Sequence, residues 1–169
     1  FGVEGRRVLL TFGLIGPGKG IEHVIEALPA IIQRHPEVVY IVLGATHPHL
    51  LAHEGERYRL SLEWLAEELG VKEHVIFDNR YVSPTDLREF VSATDIYLTP
   101  YLNREQITSG TLAQVFGAGR VVVSTPYHHA EELLAEGRGM LVPFARPPAI
   151  ATAVCEYLER PGLIERTQQ

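Results

Sequence analysis

Cysteine is almost absent from this chain, which contains only Cys155. The residue falls on the apolar face of a predicted helix, so we interpret it as a reduced core thiol and not as a nucleophile or a metal ligand. This use of cysteine is typical of cytosolic proteins, and we expect a cytoplasmic location.

The chain also lacks concentrated positive charge and long apolar runs. Its net charge is −6 and no basic cluster is longer than Arg6-Arg7, which argues against a nucleic-acid partner. No stretch approaches the roughly 20 apolar residues that span a bilayer, so we expect no transmembrane segment. Residues 1–5 do not resemble a signal peptide. Since position 1 is Phe1 and not methionine, we expect a piece of a longer protein.

What the chain does contain is a regular alternation of short apolar runs and helical patterns. Its 169 residues, 46% of them hydrophobic, fit one domain with a sizeable core. The runs are nearly all apolar, as in strands that are buried on both faces of a parallel sheet. The six predicted strands are 8–12, 38–43, 75–77, 96–99, 121–124 and 140–142.

Helical patterns separate these strands. The first covers 21–35 and stops at Pro36, the second covers 58–69, and the third begins at Ser83-Pro84. Three further helices are predicted over 110–118, 128–136 and 148–160. The order predicts a three-layer α/β/α Rossmann-like domain over 1–169, with a six-stranded, mostly parallel sheet. Ligands of such sheets bind beyond the carboxyl ends of the strands, so we expect the chemistry in the loops after strands one, four and five.

A glycine-rich turn at 13–20 follows the first predicted strand and opens into a helix. Unpaired amides there, with Lys19 beside them, form a potential anion site. The turn has neither the Lys-Ser/Thr ending of a Walker loop nor the Gly-x-Gly-x-x-Gly pattern. Glycine turns also occur for steric reasons, so phosphate binding and a structural role both remain open.

A second potential anion site, Ser109-Gly110-Thr111, lies at a predicted helix start on the same sheet edge. Its amides and hydroxyls, together with Lys19, would fit a diphosphate. The alternative is that Ser109 and Thr111 only cap the helix. For Glu105, Gln106 and Gln114, the alternative to binding is a solvated surface.

Together these segments resemble the carboxy-terminal, nucleotide-sugar-binding domain of retaining glycosyltransferases with the GT-B fold, family 4. The resemblance covers almost the whole chain and depends on the order and spacing of several motifs. The matching segments are 13–20, 41–44, 75–77, 93–100, 109–119, 122–126, 131–133 and 137–143.

The resemblance implies metal-independent, retaining glycosyl transfer from a nucleotide-diphosphate sugar, without a further cofactor. The acceptor would be held by an amino-terminal domain that this chain does not contain, and that domain could also provide contact with a membrane surface. Two alternatives remain open: a non-catalytic nucleotide- or nucleotide-sugar-binding module, and a sugar-nucleotide epimerase of the same architecture. No catalytic base can be named.

The resemblance also assigns residues in the first loop. Lys19 takes the position of a lysine that contacts the donor diphosphate, and Gly16 and Gly18 belong to the same donor-binding turn. The family usually has an arginine five residues before this lysine. Leu14 occupies that position here, so one expected cation is missing.

In the later loop, the family has two glutamates separated by seven residues. Alignment on Gly119 places Gln106 and Gln114 at these positions, near the donor sugar and the ribose respectively. A glutamine can still bind a hydroxyl but contributes no negative charge. Glu105 is a second candidate for the first glutamate after a shift of the loop.

Main-chain groups complete the expected donor site. The backbone of Ser109, Gly110 and Thr111 corresponds to the family's diphosphate contact. The turn that contains Arg80 and Tyr81 corresponds to its contact with the base.

Histidines form two groups along the chain. No carboxylate or cysteine completes a tetrahedral set with His47, His49 and His53, so we expect no metal there. We interpret His128-His129 as a cap-region pair, with a contact to the donor sugar as the alternative.

Overall fold

Six parallel strands form one sheet in the order β3-β2-β1-β4-β5-β6 in a computed structural model that describes residues 2–163. Phe1 and 164–169 lie outside the described residues. The strands are β1 (Arg7–Phe12), β2 (Val38–Leu43), β3 (Val75–Asp78), β4 (Ile96–Thr99), β5 (Val121–Ser124) and β6 (Met140–Leu141).

Seven α-helices lie entirely within the described residues. They are α1 (Ile21–Arg34), α2 (Pro48–Glu54), α3 (Arg57–Glu68), α4 (Pro84–Ala93), α5 (Gly110–Gly117), α6 (His128–Leu133) and α7 (Pro147–Glu159). Short 3-10 turns cover Pro17–Lys19, Lys72–His74 and Ala135–Gly137. None of these described helices is long and apolar enough to cross a membrane.

The sheet is buried between two helical layers, which confirms the predicted α/β/α architecture. Successive residues of a strand point to opposite faces: Leu9 belongs to the core on the side of α1, α3 and α7, and Leu10 to the core on the side of α4, α5 and α6. Both residues are completely buried. Cys155 is buried in the first of these cores, as expected.

The main difference from the sequence analysis is α2, since no helix is predicted there between β2 and the helix over 58–69. Pro48 occupies its first turn, where a missing N–H costs nothing, and the His47 ring accepts a hydrogen bond from the His49 amide. The helix buries none of its own residues, so it has no apolar stripe that a pattern could show.

Other boundaries differ by small amounts. The helix predicted over 128–136 ends at Leu133, and a separate 3-10 turn follows, in which Glu136 adopts a positive φ of 61° that an α-helix cannot contain. Strand β6 is one residue shorter than predicted, while β1 and β3 are each one residue longer.

Glycines allow the loops at the carboxyl edge of the sheet to touch. Gly44 has a φ of 141°, and a Cβ built on it would lie 1.9 Å from the Gly13 carbonyl oxygen. Gly20 has a φ of 66°, and its Cβ would lie 2.1 Å from the Pro100 carbonyl oxygen. The loop after β1 is therefore packed, backbone against backbone, on the loops after β2 and β4.

We predict that Gly44→Ala destabilises the fold more than Gly70→Ala does. Both glycines have a positive φ, but nothing lies within 4 Å of a Cβ on Gly70, so alanine there costs only the backbone strain, about 1–2 kcal/mol. At Gly44 the backbone of Gly13 must also move. Urea unfolding of both variants measures the difference, and equal losses would show that this close approach is not a constraint.

Candidate functional site

Two cavities open at the carboxyl edge of the sheet. The first has a volume of about 410 Å³ and is lined by Leu14, Gly16, Pro17, Gly18, Lys19, His47, His49, Leu50, Tyr101, Asn103 and Gln106. The second, of about 200 Å³, is lined by Phe12, Gly13, Leu14, Leu43, Gly44, Ala45, Arg80, Tyr81, Val82, Leu87 and Thr111. Leu14 contributes to both walls, so the cavities are neighbours.

Lys19 lies at the end of the 3-10 turn in the first loop, and its ammonium reaches across to the loop after β4. The Nζ donates a hydrogen bond of 3.0 Å to the Tyr101 hydroxyl and lies 4.3 Å from the centroid of the same ring. Among the described residues no carboxylate forms an ion pair with Lys19. Its positive charge is therefore available to an anion in the first cavity.

Part of the first loop's backbone is also available. The amides of Gly13, Ile15, Lys19 and Gly20 all bond to backbone carbonyls. Within residues 2–163, the amides of Gly16 and Gly18 have no such partner. Both glycines line the first cavity beside Lys19, so this turn has the donors that the sequence predicted, but fewer of them.

Ser109 is held more tightly by the protein than the sequence suggested. Its hydroxyl accepts a hydrogen bond of 3.2 Å from the Leu112 amide, so Ser109 does cap α5. Its own amide donates to His129 Nδ1 at 2.8 Å. In the described part of the chain, the amides of Gly110 and Thr111 have no backbone or side-chain acceptor and are the ones free to meet a ligand.

A chain of side-chain hydrogen bonds connects the two loops. Because an ammonium only donates, the Tyr101 hydroxyl accepts from Lys19 and can donate to Thr111 Oγ1, which lies 2.9 Å away. Thr111 Oγ1 in turn lies 3.2 Å from Ser109 Oγ. Lys19 is thereby linked through Tyr101 and Thr111 to the first turn of α5.

Tyr101 was missed by sequence reasoning. It directly follows β4 and Pro100, and its place in a loop expected to carry chemistry was the one available signal. Burial would raise the pKa of its phenol, but the Lys19 charge and the hydrogen bonds with Thr111 and Lys19 outweigh burial and lower the pKa below its usual value. Burial instead raises the pKa of Tyr127, its stacking partner, to about 12.

The structure separates Gln106 and Glu105, the two candidates for the position of the family's first glutamate. Gln106 lines the first cavity, and its Nε2 donates to the Thr108 carbonyl at 2.7 Å. Glu105 is exposed and lines neither cavity. Its carboxylate lies 3.4 Å from His128 Nε2, at the start of α6.

The remaining predicted residues lie in two places. Arg80 and Tyr81 line the second cavity together with apolar side chains, and Arg80 Nε lies 3.0 Å from both carboxylate oxygens of Asp78. Gln114 lines neither cavity. It faces a groove between α4 and α5 that also contains Pro84 and Arg88.

His47 and His49 were likewise not assigned to the site from the sequence, because no contribution was expected from the loop after β2. Both line the first cavity, and the His49 and His53 rings lie 4.3 Å apart. No cluster of three or more histidine, cysteine or acidic residues suited to a metal occurs within the described residues.

Comparisons with known proteins give the same picture of the fold. HepE from Anabaena, solved in complex with UDP and glucose, superposes with a TM-score of 0.86 at 21% identity over 99% of this chain and 43% of that chain. At this identity the likeness shows the GT-B fold alone.

Curated relatives extend well beyond this chain. A GDP-mannose-dependent alpha-(1-6)-phosphatidylinositol monomannoside mannosyltransferase from Mycolicibacterium smegmatis is 28% identical over 95% of this chain and 41% of its own length. An alpha-D-kanosaminyltransferase from Streptomyces kanamyceticus is 25% identical over 98% of this chain and 40% of its own. The chain thus spans about two fifths of these relatives.

The family comparison covers nearly all of the described fold. The profile of the family described as "Glycosyl transferases group 1" matches residues 6–160. This chain therefore belongs to the group 1 glycosyl transferase family.

Proposed function

We propose that the chain binds the nucleotide-diphosphate sugar donor of a retaining, metal-independent glycosyltransferase. The observation that carries this proposal is the position of Lys19. Its ammonium has no carboxylate partner among the described residues, shares the first cavity with Gly16 and Gly18, whose amides have no backbone acceptor, and is linked through Tyr101 to the start of α5. An anion of two phosphates is the ligand that such an arrangement stabilises.

The two cavities suit the two ends of such a donor. The second is smaller and mostly apolar, with Arg80 and Tyr81 at its wall, which fits a nucleobase. The first is larger and contains Lys19 and Gln106, which fits the diphosphate and the sugar. Leu14 lies between them. One elongated ligand could therefore occupy both cavities.

The chemistry requires the protein chiefly to stabilise the departing diphosphate. Lys19 and the free amides place positive charge where the negative charge develops, before the reaction begins. Gln106 can orient a sugar hydroxyl through its carbonyl oxygen, while one N–H of its amide donates to the Thr108 carbonyl.

No catalytic base is assigned within the first cavity. Aspartate and glutamate are absent from its described lining. The lining therefore holds no carboxylate nucleophile, and the proton acceptors at this cavity are the imidazoles of His47 and His49 and the leaving diphosphate itself. Glu105 would have to leave His128 to take part.

A non-catalytic nucleotide-binding module is the second candidate. It is favoured by Gln106 and Gln114, which occupy positions where glutamates were expected. Transfer of labelled sugar by the full-length protein distinguishes the two. Thermal shifts with UDP, GDP and ADP would identify the base, since a ligand at about 100 times its Kd stabilises by roughly 2.7 kcal/mol.

We predict that Lys19→Ala weakens nucleoside diphosphate binding about tenfold or more, because a hydrogen bond to a charged group contributes about 1.5–3 kcal/mol. Binding of the parent nucleoside should stay nearly unchanged. Isothermal titration measures both ligands. Lys72→Ala is the matched control: Lys72, the other lysine of the chain, is exposed and precedes β3 at the opposite edge of the sheet.

Leu14→Arg in the Lys19→Ala background should restore part of this affinity. Leu14 is 39% exposed and borders both cavities, so a cation there can reach the diphosphate. Equal diphosphate affinity of the original chain and Lys19→Ala would reduce the glycine-rich turn to a structural feature.

A second prediction concerns Gln114, which we propose as the ribose contact. Gln114 lines the groove between α4 and α5 and neither cavity, but it lies one turn after Thr111, which borders the second cavity, so a ribose that extends from that cavity along α5 would meet its side chain. Gln114→Leu should cost about 0.5–1.5 kcal/mol of nucleoside binding, whereas Gln114→Glu should keep or tighten it. Gln33→Leu, an exposed change on α1, is the control. Unchanged affinity in Gln114→Leu would place the ribose elsewhere.

A third prediction is that the 169-residue chain folds and binds a nucleoside diphosphate but transfers no sugar by itself. It spans only about two fifths of its curated relatives, and we propose that the acceptor is held by an amino-terminal domain outside this sequence. Sustained turnover by this chain without a partner, measured with labelled donor, would contradict the two-domain proposal.

A further inference from the structure

Lys19 needs a partner to stay in one place. A lysine side chain has four flexible carbons and loses about 2 kcal/mol of rotamer entropy when it is fixed. In the described structure its ammonium has one side-chain hydrogen bond, to the Tyr101 hydroxyl, and one ring contact, to the same tyrosine. Where the family would have a second cation, this chain has Leu14. The orientation of the single charge therefore depends on Tyr101.

Tyr101 is itself held rigidly. Its side chain is 3% exposed, and its ring stacks on Tyr127 with centroids 5.1 Å apart and an interplanar angle of 16°. Its carbonyl accepts a hydrogen bond from Thr125 Oγ1. The next residue, Leu102, donates its amide to the Gly18 carbonyl at 3.1 Å, which ties this loop to the glycine-rich turn. The phenol oxygen is thus a fixed point at the wall of the first cavity.

We propose that Tyr101 is the positioning residue of Lys19, which it orients toward the donor diphosphate while its link to Thr111 joins that contact to the first turn of α5. This inference rests on the proposed function. One N–H of the ammonium is directed to the phenol oxygen, and the other two remain for phosphate oxygens. The same contact contributes to the lowered pKa of Tyr101, because the Lys19 charge stabilises the ionised phenol.

Tyr101→Phe is the central test, because it keeps the stacked ring and the ring contact with Lys19 and removes only the hydroxyl. The probe is whichever of UDP, GDP and ADP stabilises the chain most, together with its parent nucleoside. The affinity for the diphosphate should fall about three- to tenfold, as for the loss of one hydrogen bond, while nucleoside binding should not change.

Tyr127→Phe is the matched control. Tyr127 is equally buried in the same stack, and its hydroxyl bonds to Thr99 and not to Lys19. This variant should lower the melting temperature without changing the ratio of diphosphate to nucleoside affinity. Thr111→Val, which removes the acceptor of the Tyr101 hydroxyl, gives an independent variant with a smaller loss in the same direction.

A double-mutant cycle separates positioning from a structural role. In the Lys19→Ala background, Tyr101→Phe should change diphosphate affinity by less than about twofold, since the group it positions is gone. An equal loss in both backgrounds, or no loss in either, would overturn the inference. Failure of the original chain to bind any of the three diphosphates would instead overturn the proposed function, and this inference with it.

Alkaline titration, followed by tyrosinate absorbance, provides a readout that does not need a ligand. The component that ionises at the lowest pH should disappear in Tyr101→Phe and move to higher pH in Lys19→Ala. Because the folded pKa lies below the unfolded one, ionised Tyr101 favours the fold above the ordinary phenol pKa of about 10, and this contribution is lost as the pH falls through the lowered value. A titration that Lys19→Ala leaves unchanged would contradict the contact.

Discussion

The site depends on backbone packed directly against backbone at the carboxyl edge of the sheet. Gly44 meets the carbonyl of Gly13, and Gly20 meets the carbonyl of Pro100, at distances that leave no space for a side chain. These contacts bring the loop after β1 close enough to the loop after β4 for Lys19 to reach Tyr101. Parallel strands place all these loops on one edge. The glycines then set how near to each other the loops lie, so the turn at 13–20 has a steric role beside the anion-binding role that we propose for it.

The first cavity contains few charged side chains. The first cavity has one fixed cation and amide donors, with no acidic side chain among its described lining residues. A single ammonium is effective only if it is well oriented, because a flexible lysine spreads its charge over many positions. The buried stack of Tyr101 on Tyr127 supplies that rigidity without an opposing carboxylate that would neutralise Lys19. Fixed dipoles and one oriented charge suit a leaving diphosphate better than they suit proton abstraction.

The fold could be predicted from the sequence because its strands are continuous apolar runs, buried on both faces, as Leu9 and Leu10 illustrate. The first cavity was predicted in part: Lys19 and Gln106 do face one space. Tyr101 could not be assigned, since its role depends on a hydrogen bond across 82 positions of sequence. His47 was missed for a related reason, because α2 has no buried stripe and its loop was not expected to contribute. The pattern of strands and helices predicts which loops meet at the carboxyl edge of the sheet. It does not predict the side-chain contacts between those loops, because the residues involved are far apart in the sequence.

Leu14 stands in the wall of both cavities. A protein that contacts two parts of a ligand with separate side chains can change its selectivity for one part without changing its selectivity for the other. Here a single side chain limits the space on both sides, and a bulkier or smaller residue would reshape the two cavities at once. For the nucleotide-sugar donor that we propose, selectivity for the base and selectivity for the sugar would thereby be coupled, so that during divergence a change at position 14 would shift both together.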